Sequence, residues 1–472
     1  MTEMPNIILF ITHDLGQYLS VYDSIVNPVS IKTPNLDRIA KKGVYFTNYF
    51  CSAPQCSPSR ASIQTGKYPH QHGVMGLIKE GWKLDTSFTM PKFFNQLGYT
   101  TNLIGFQHET KDVDQLGYSY ISKRKMVYKY SCSLIEGKFI EFLEKNAFIG
   151  KPFFLNIGVC ECHRPFRLFG TPIDFKRVKN PPYLPDTKVI RKEMAEFYGS
   201  VIEVDKCVGK LYKKLESIGI NKNTLFIFTT DHGIDMPRAK CTLYDPGLKT
   251  ALLMYYPDSN LLNGGKIINS LISNIDLLPT LMDLFGFPEK YPDIEGKSFL
   301  HLLNEESEKF RTEIFAEKTY HTIYDPIRCI RTEKYKYIRN FEGSDVSNHL
   351  FHIPNDTHSY KSIRSIKTEL IGLRPKEELY DLEKDPIEKN NLIKDPNYKD
   401  IVRELRAKLE YWMKRTNDPL IKGRVDPPPT YIKRRKSILK QAIRKRSVQL
   451  IEYFLNYRPI QLSTRKIIKY AP

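Results

Sequence analysis

The feature that most constrains this chain is a run of seven residues near its start, Asn6-Ile7-Ile8-Leu9-Phe10-Ile11-Thr12, which is apolar at consecutive rather than alternate positions. A strand with one wetted face alternates polar and apolar residues. A continuous apolar run belongs instead to a strand covered on both faces, as in a parallel sheet flanked by helices. Thr33 then reads as an N-cap, Pro34 as a first-turn residue and Gly43 as a terminator, which places a helix before the next β-rich run, Val44 to Phe50. Strand, helix, strand is the unit from which parallel sheets are built. Similar apolar runs recur at Thr100–Ile104, Phe153–Gly158, Leu225–Thr230 and Ala251–Tyr255, with helical stretches such as Met90–Leu97 and Lys192–Ile218 between them. The expected fold is therefore α/β, a large domain with a central, mainly parallel sheet flanked by helices.

With 472 residues the chain exceeds what one core ordinarily holds, about 250–300 residues. After residue 310 the texture changes to short β-rich runs, Glu313–Ala316, Ile327–Arg331 and Lys334–Asn340, then a polar loop and a helix near Asp400–Met413. A smaller C-terminal α+β subdomain is expected over 311–425, beside a catalytic domain over 1–310. Pro427-Pro428-Pro429 opens a basic, helical tail over 426–472. In it Lys433, Arg434, Arg435, Lys436, Lys440, Arg444, Lys445 and Arg446 alternate with Ile438, Leu439, Ile443, Val448, Leu450 and Ile451. That pattern suits a basic amphipathic helix touching a polyanion or a membrane surface, and equally a solvated helix packed by one apolar edge. Much of the net charge of +19 sits there, so the total is a poor guide to function. No nucleic-acid-binding motif accompanies it, and no specific nucleic-acid partner is expected. No run approaches the roughly 18 apolar residues of a transmembrane segment.

The eight cysteines are scattered, without the paired spacing of a zinc or disulfide framework. Cys160-x-Cys162-His163 reads as two small buried side chains rather than a soft-metal site. The first five residues, Met1 to Pro5, lack the basic and apolar regions of a secretory signal and lead straight into a strand, which favours the cytoplasm.

In open α/β sheets ligands gather beyond the carboxyl ends of strands. The first apolar run ends in His13-Asp14 and the run Leu225–Thr230 ends in Asp231-His232. Carboxylates and imidazoles brought to one sheet edge can hold a divalent cation, although an aspartate after a strand is also a common cap or turn residue. The segment Cys56-Ser57-Pro58-Ser59-Arg60-Ala61-Ser62-Ile63-Gln64-Thr65-Gly66-Lys67 places a cysteine just before a helix-starting proline, where the positive end of the helix favours an anion, and Arg60 adds a permanent cation. Read physically, Cys56 is either a thiolate nucleophile of lowered pKa or a buried structural thiol.

This segment resembles the signature of the sulfatase family, Cys-x-Pro-Ser-Arg followed by a short helix and Thr-Gly-Lys, with Gln64 in place of the usual leucine. The likeness extends to Pro5–Phe10 with Asp14-Leu15-Gly16, to Thr229-Thr230-Asp231-His232-Gly233, to Lys240-Cys241-Thr242-Leu243-Tyr244, to His163-Arg164-Pro165, and to the landmarks Asn274–Leu281 and Leu379–Leu382. Pro237–Lys240 and Tyr324–Arg328 look most like the branch that holds heparan N-sulfatase-like proteins. The resemblance implies an alkaline phosphatase-like fold and a sulfuric ester hydrolase in which Cys56 is oxidised to formylglycine by a maturation enzyme. It further implies one divalent cation, calcium by resemblance with magnesium or manganese as alternatives, held by Asp14, Asp231, His232, His13 and the modified Cys56. Arg60, His108, His163 and Lys240 would be catalytic; Lys67, His163 and Lys240 would bind a small-molecule or saccharide sulfate.

Two departures stand out. The family usually has Asp-Asp where this chain has His13-Asp14, and its Gly-Lys-x-His segment appears as Gly105-Phe106-Gln107-His108, without the lysine that steadies formylglycine. Lys67 is a candidate to compensate. His70 and His72, close behind the signature, are either pocket-lining or surface histidines. The nearest rival function is a phosphodiesterase or phosphonate monoester hydrolase of the same superfamily, since phosphate and sulfate are both tetrahedral anions. A catalytically silent, polyanion-binding protein is the rival of a different class.

Overall fold

The computed structural model describes residues 4–122, 130–146, 150–287, 293–304, 310–342 and 374–444, with side chains as far as 437. Its strands are β1 (Asn6–Thr12), β2 (Val44–Phe46), β3 (Tyr49–Phe50), β4 (Thr100–Gly105), β5 (Tyr120–Ser122), β6 (Phe153–Gly158), β7 (Thr224–Thr230), β8 (Leu252–Tyr255), β9 (Lys266–Ile268), β10 (Ile272–Ser273), β11 (Glu313–Tyr320), β12 (Tyr324–Thr332), β13 (Tyr335–Asn340) and β14 (Glu377–Asp381). Eight of them form one sheet in the order β5-β4-β6-β1-β7-β8-β2-β9. Only β8 runs against its two neighbours, so the sheet is mainly parallel as the apolar runs imply. The expected single run Val44–Phe50 is split: β2 joins the main sheet, and β3 pairs with β10 in a sheet of its own.

β1 lies between β6 and β7, and Ile7 to Ile11 are wholly buried. Phe10 and Ile8 face one apolar layer with the helices Pro34–Lys42, Cys132–Asn146 and Lys188–Ser217. Ile7, Leu9 and Ile11 face the other, with Ile63 of the helix Cys56–Thr65 and Leu277, Leu278 and Leu281 of the helix Leu277–Leu284. Covering both faces removes the need for polar alternation, which is why the run reads as it does.

β11 to β14 form a four-stranded antiparallel sheet in chain order, backed by the helix Lys399–Arg415. The apolar layer beneath this helix is continuous with that of the main sheet, because Leu409 and Trp412 belong to the same cluster as Ile63 and Tyr68. Trp412 is its clearest bridge: its ring centroid lies 5.0 Å from Tyr68 and 4.9 Å from Phe315. After the prolines, the helix Pro429–Arg444 follows. The remainder of the basic tail, 445–472, including Lys445, Arg446, Val448, Leu450 and Ile451, lies outside the described residues, as do the side chains of Ile438, Leu439, Lys440, Ile443 and Arg444.

Trp412→Ala should cost about 3–5 kcal/mol, the usual loss for a buried aromatic. Thermal unfolding followed by tryptophan-independent circular dichroism should show a clear drop in Tm; an unchanged Tm would mean that the two sheets do not depend on this contact.

Candidate active site

Strand register assembles the site. Thr12 of β1 stands opposite Thr230 of β7 in parallel pairing, so His13-Asp14 and Asp231-His232 leave the sheet side by side. Ile11 pairs with Gly158 of β6, and Gly158 with Gly105 of β4, so the loops that carry His163 and His108 start from the same edge. The two glycines are required by a close approach: a Cβ on Gly158 would lie 1.8 Å from the Phe106 carbonyl oxygen, and Gly105 has φ +98°. Asp14 takes the left-handed conformation at φ 54°, held by its amide's hydrogen bond to Asp231 Oδ1 at 3.0 Å.

The helix Cys56–Thr65 points its first turn into this edge, and all ten of its residues are buried. Ser59 Oγ donates to the Asp231 carbonyl, while Asn274 Nδ2 donates to Ser59 Oγ at 3.0 Å and Asn274 Oδ1 accepts from the Ser52 amide at 2.9 Å. The Cys241 amide donates to the Pro54 carbonyl at 2.9 Å, which fixes the Lys240 segment against the approach to Cys56.

The charges interlock. Arg60 Nε donates to Asp231 Oδ2 at 2.9 Å and its Nη2 to the Thr12 carbonyl at 2.8 Å. Lys240 Nζ lies 2.7 Å from Asp14 Oδ2 and 3.2 Å from Asp235 Oδ2. Burial opposes the Lys240 charge, but Asp14 and Asp235 hold its pKa well above the ordinary value. Burial likewise opposes ionisation of Asp14, yet Lys240, His13 and His232 hold its carboxyl far below the usual range. Burial pushes the Cys56 thiol up, and His108, with hydrogen bonds from His13 and His232, outweighs it and brings the thiol well below an ordinary cysteine. Burial, Lys240 and His13 push His163 down to about 4.

One side-chain set is suited to a cation. Ligand-capable atoms of His13, Asp14, Asp231 and His232 all lie within 4.8 Å of one another, and all four residues are buried. His232 Nδ1 is 2.9 Å from the Gly233 carbonyl and donates to it. Its buried Nε2 has no hydrogen bond of ordinary geometry and faces Asp14 Oδ1 at 3.2 Å and Asp231 Oδ1 at 3.7 Å. An imidazole nitrogen facing two buried carboxylates calls for positive charge between them, which a divalent cation can supply, so the residues present fit one. His13, Cys56 and His108 form a second close group on the nucleophile's side.

The structure thus brings together His13, Asp14, Cys56, Arg60, His108, His163, Asp231, His232 and Lys240. It places Lys67 elsewhere, 3.9 Å from Asp85. His70 and His72 are neither surface nor pocket groups: His70 Nδ1 bonds Glu317 at 2.6 Å and His72 Nε2 lies 3.1 Å from Ser62 Oγ, both side chains buried. Cys160 and Cys162 are buried and join none of the metal-capable groups among the described residues. Asp235, which shares Lys240 with Asp14 and lies 3.6 Å from Arg164, was not singled out by sequence reasoning; its position four residues after Asp231 in the same loop was the available signal. Asn274, which opens one of the family landmarks, clamps Ser59 to the Ser52 segment.

Opposite charges packed round Cys56 at the carboxyl edge of a parallel sheet suit the binding of a tetrahedral anion. The sulfatase family profile matches residues 5–287, and the profile for the C-terminal part of N-sulphoglucosamine sulphohydrolase matches residues 238–371. Human N-sulphoglucosamine sulphohydrolase is 28% identical over 472 residues, covering 88% of this chain and 91% of that protein. An ulvan-active sulfatase of Formosa agariphila is 31% identical over 443 residues, covering 91% and 84%. A protein solved in complex with its substrate D-glucosamine-2-N,6-O-disulfate shares the fold, with a TM-score of 0.68 at 22% identity over 88% of this chain and 99% of that one. The chain belongs to the sulfatase family and is a sulfuric ester hydrolase, which sets aside the phosphodiesterase alternative.

The two departures from the family pattern touch each other. The Phe106 ring centroid is 5.2 Å from that of His13, and the Arg60 guanidinium carbon is 4.9 Å from it. Phe106→Lys alone should lower kcat/KM at least tenfold by setting a second cation against Arg60, and His13→Asp alone should also impair turnover. The double variant should lose less than the sum, with a coupling of about 1–2 kcal/mol in a double-mutant cycle; strictly additive losses would show the two positions to be independent.

Proposed function

We propose that this chain removes sulfate from a sulfated saccharide, with Cys56 oxidised to formylglycine as the nucleophile and a divalent cation held by Asp14, Asp231, His232 and His13. The observation that carries the reading is the setting of Cys56. It lies at the first turn of a buried helix, among His13, His108 and His232, and in electrostatic reach of Arg60 and Lys240. Substrate class follows the relatives: one is named for N-sulphoglucosamine and another for ulvan, so a sulfated sugar, with an N-sulfated glucosamine as the first candidate, is the favoured substrate. A maturation enzyme that oxidises Cys56 is part of the proposal. So is a reducing, cytoplasmic setting, which suits eight free and buried cysteines.

One hydroxyl of the hydrated aldehyde at position 56 attacks sulfur, while Arg60 and Lys240 stabilise the charge that develops on oxygen. The cation, when bound, supplies further positive charge and acidifies a nearby hydroxyl. His163 or Lys240 protonates the leaving oxygen or nitrogen, Lys240 being held charged by Asp14 and Asp235. His108, whose Nδ1 is buried without a partner, takes the proton of the remaining hydroxyl as the carbon–oxygen bond to sulfate breaks and the aldehyde returns. Calcium is the family's choice by resemblance, and the imidazole donors make manganese or magnesium suitable alternatives.

Mass spectrometry of the Cys56 peptide from the native host should show formylglycine, and Cys56→Ala should abolish sulfate release while Tm is kept. An active Cys56→Ala protein would refute the nucleophile. Chelation should lower Tm, since two buried carboxylates lose their counter-charge, and should stop turnover until a divalent ion is restored; elemental analysis then names the metal. Unchanged Tm and activity after exhaustive chelation would remove the cation from the reading.

A further inference from the structure

Two exposed cations, Lys79 and Arg434, flank a buried ion pair on the turn that follows the Cys56 helix and have no part in the chemistry above. The turn Ile78–Glu80 follows the signature helix, and the Ile78 amide donates to Ser57 Oγ at 3.4 Å, one residue from Cys56. On its other side the turn carries the C-terminal helix Pro429–Arg444. Arg435 Nη2 donates to Glu80 Oε1 at 3.0 Å in a buried pair, and a Cβ on Gly81 would lie 2.9 Å from Thr430 Cβ. Tyr431 packs its ring 5.2 Å from that of Tyr320, whose carbonyl accepts from Gln55 Nε2 at 2.8 Å. The helix is therefore seated on the turn 78–80 and on Tyr320, which bond the residues on either side of Cys56.

Lys79 is next to Glu80, and Arg434 next to Arg435, and both are exposed. Burial raises the Glu80 pKa, with Arg435, Arg434 and Lys79 pulling the other way, so three cations surround one carboxylate that is already paired with Arg435. Lys79 in turn is partly enclosed, which lowers its pKa, and feels Cys56 as an attraction and Arg434 and Lys240 as repulsions. Like charges held together by a buried anchor raise the local potential for an anion.

We propose that Lys79 and Arg434 bind a second anionic group of the substrate, a sulfate or carboxylate on the saccharide whose first sulfate lies at Cys56, so that the C-terminal helix is part of the substrate site. The inference rests on the saccharide reading above. It assigns the basic segment a role in choosing densely charged substrates over singly sulfated ones, and gives a purpose to the Arg435–Glu80 anchor, which sets the distance between the two anion positions.

The test compares kcat/KM for glucosamine 2-N,6-O-disulfate with that for glucosamine 2-N-sulfate in the matured holoenzyme. Lys79→Ala and Arg434→Ala should each reduce the ratio of the two about five- to tenfold, as expected for loss of a charge-assisted contact, and Arg434→Lys should restore most of it. An unchanged ratio overturns the proposal. A second measurement does not need turnover: a heparin-derived oligosaccharide titrated calorimetrically into the Cys56→Ala protein should bind, and the double variant Lys79→Ala/Arg434→Ala should bind at least tenfold more weakly with a shallower salt dependence. Absent binding, or equal affinity in both proteins, overturns it. If wild-type enzyme hydrolyses no sulfated saccharide yet the affinities differ as stated, the reaction reading fails and the anion site stands.

Discussion

Asp231 is the residue on which the other parts of the site depend. Its Oδ2 takes Arg60 Nε at 2.9 Å, its Oδ1 takes the amides of Asp14 and His232 at 3.0 and 2.9 Å, and its carbonyl receives Ser59 Oγ. One residue therefore joins the end of β7, the loop after β1 and the first turn of the Cys56 helix. A buried carboxylate is tolerated only if it is paired and hydrogen-bonded, and these contacts meet that demand three times over. Removing the Arg60 partner would leave a charge inside the protein, so the ion pair and the nucleophile's position stand or fall together.

The same reasoning explains how two family positions can change at once. The pattern that the signature resembles has an aspartate at position 13 and a lysine at position 106, a pair of opposite charges. This chain has neither: an imidazole stands in place of the carboxylate and a phenyl ring in place of the ammonium. Phe106 then offers its ring face to Arg60, which keeps the guanidinium aimed at Asp231 while avoiding a second cation 5 Å away in a dry site. Phe106 and His13 are thus in contact where the family pattern has a charged pair, and Cys56, Lys240 and the carboxylates are retained beside them. Lys67 does not stand in for the family's lysine and is spent on Asp85.

How much of this was legible in the sequence follows from what each residue answers to. β1 was legible because burial on both faces leaves a continuous apolar run, and the helix Pro34–Lys42 because proline and glycine mark its ends. The paired ends His13-Asp14 and Asp231-His232 were legible as candidates, but their meeting depends on the register Thr12 to Thr230, which no local pattern records. The split of Val44–Phe50 into β2 and β3 was hidden for a similar reason: both halves are apolar, and only the partners available in space decide which sheet each joins. His70 and His72 misled because histidine suits a pocket, a surface and a core equally; Glu317, 247 residues away, makes His70 a buried hydrogen-bonding group.

The C-terminal helix shows most plainly where local reading ends. Its amphipathic pattern was equally compatible with a polyanion, a membrane or a solvated face, because charge periodicity describes a helix and not its neighbour. The neighbour is a short turn more than 340 residues earlier, and its buried ion pair joins Arg435 to Glu80, 355 residues apart. Once that anchor is known, the exposed cations beside it, Arg434 and Lys79, are brought to one turn of the chain. The described start of that basic segment is held by a buried ion pair on the turn that follows the Cys56 helix.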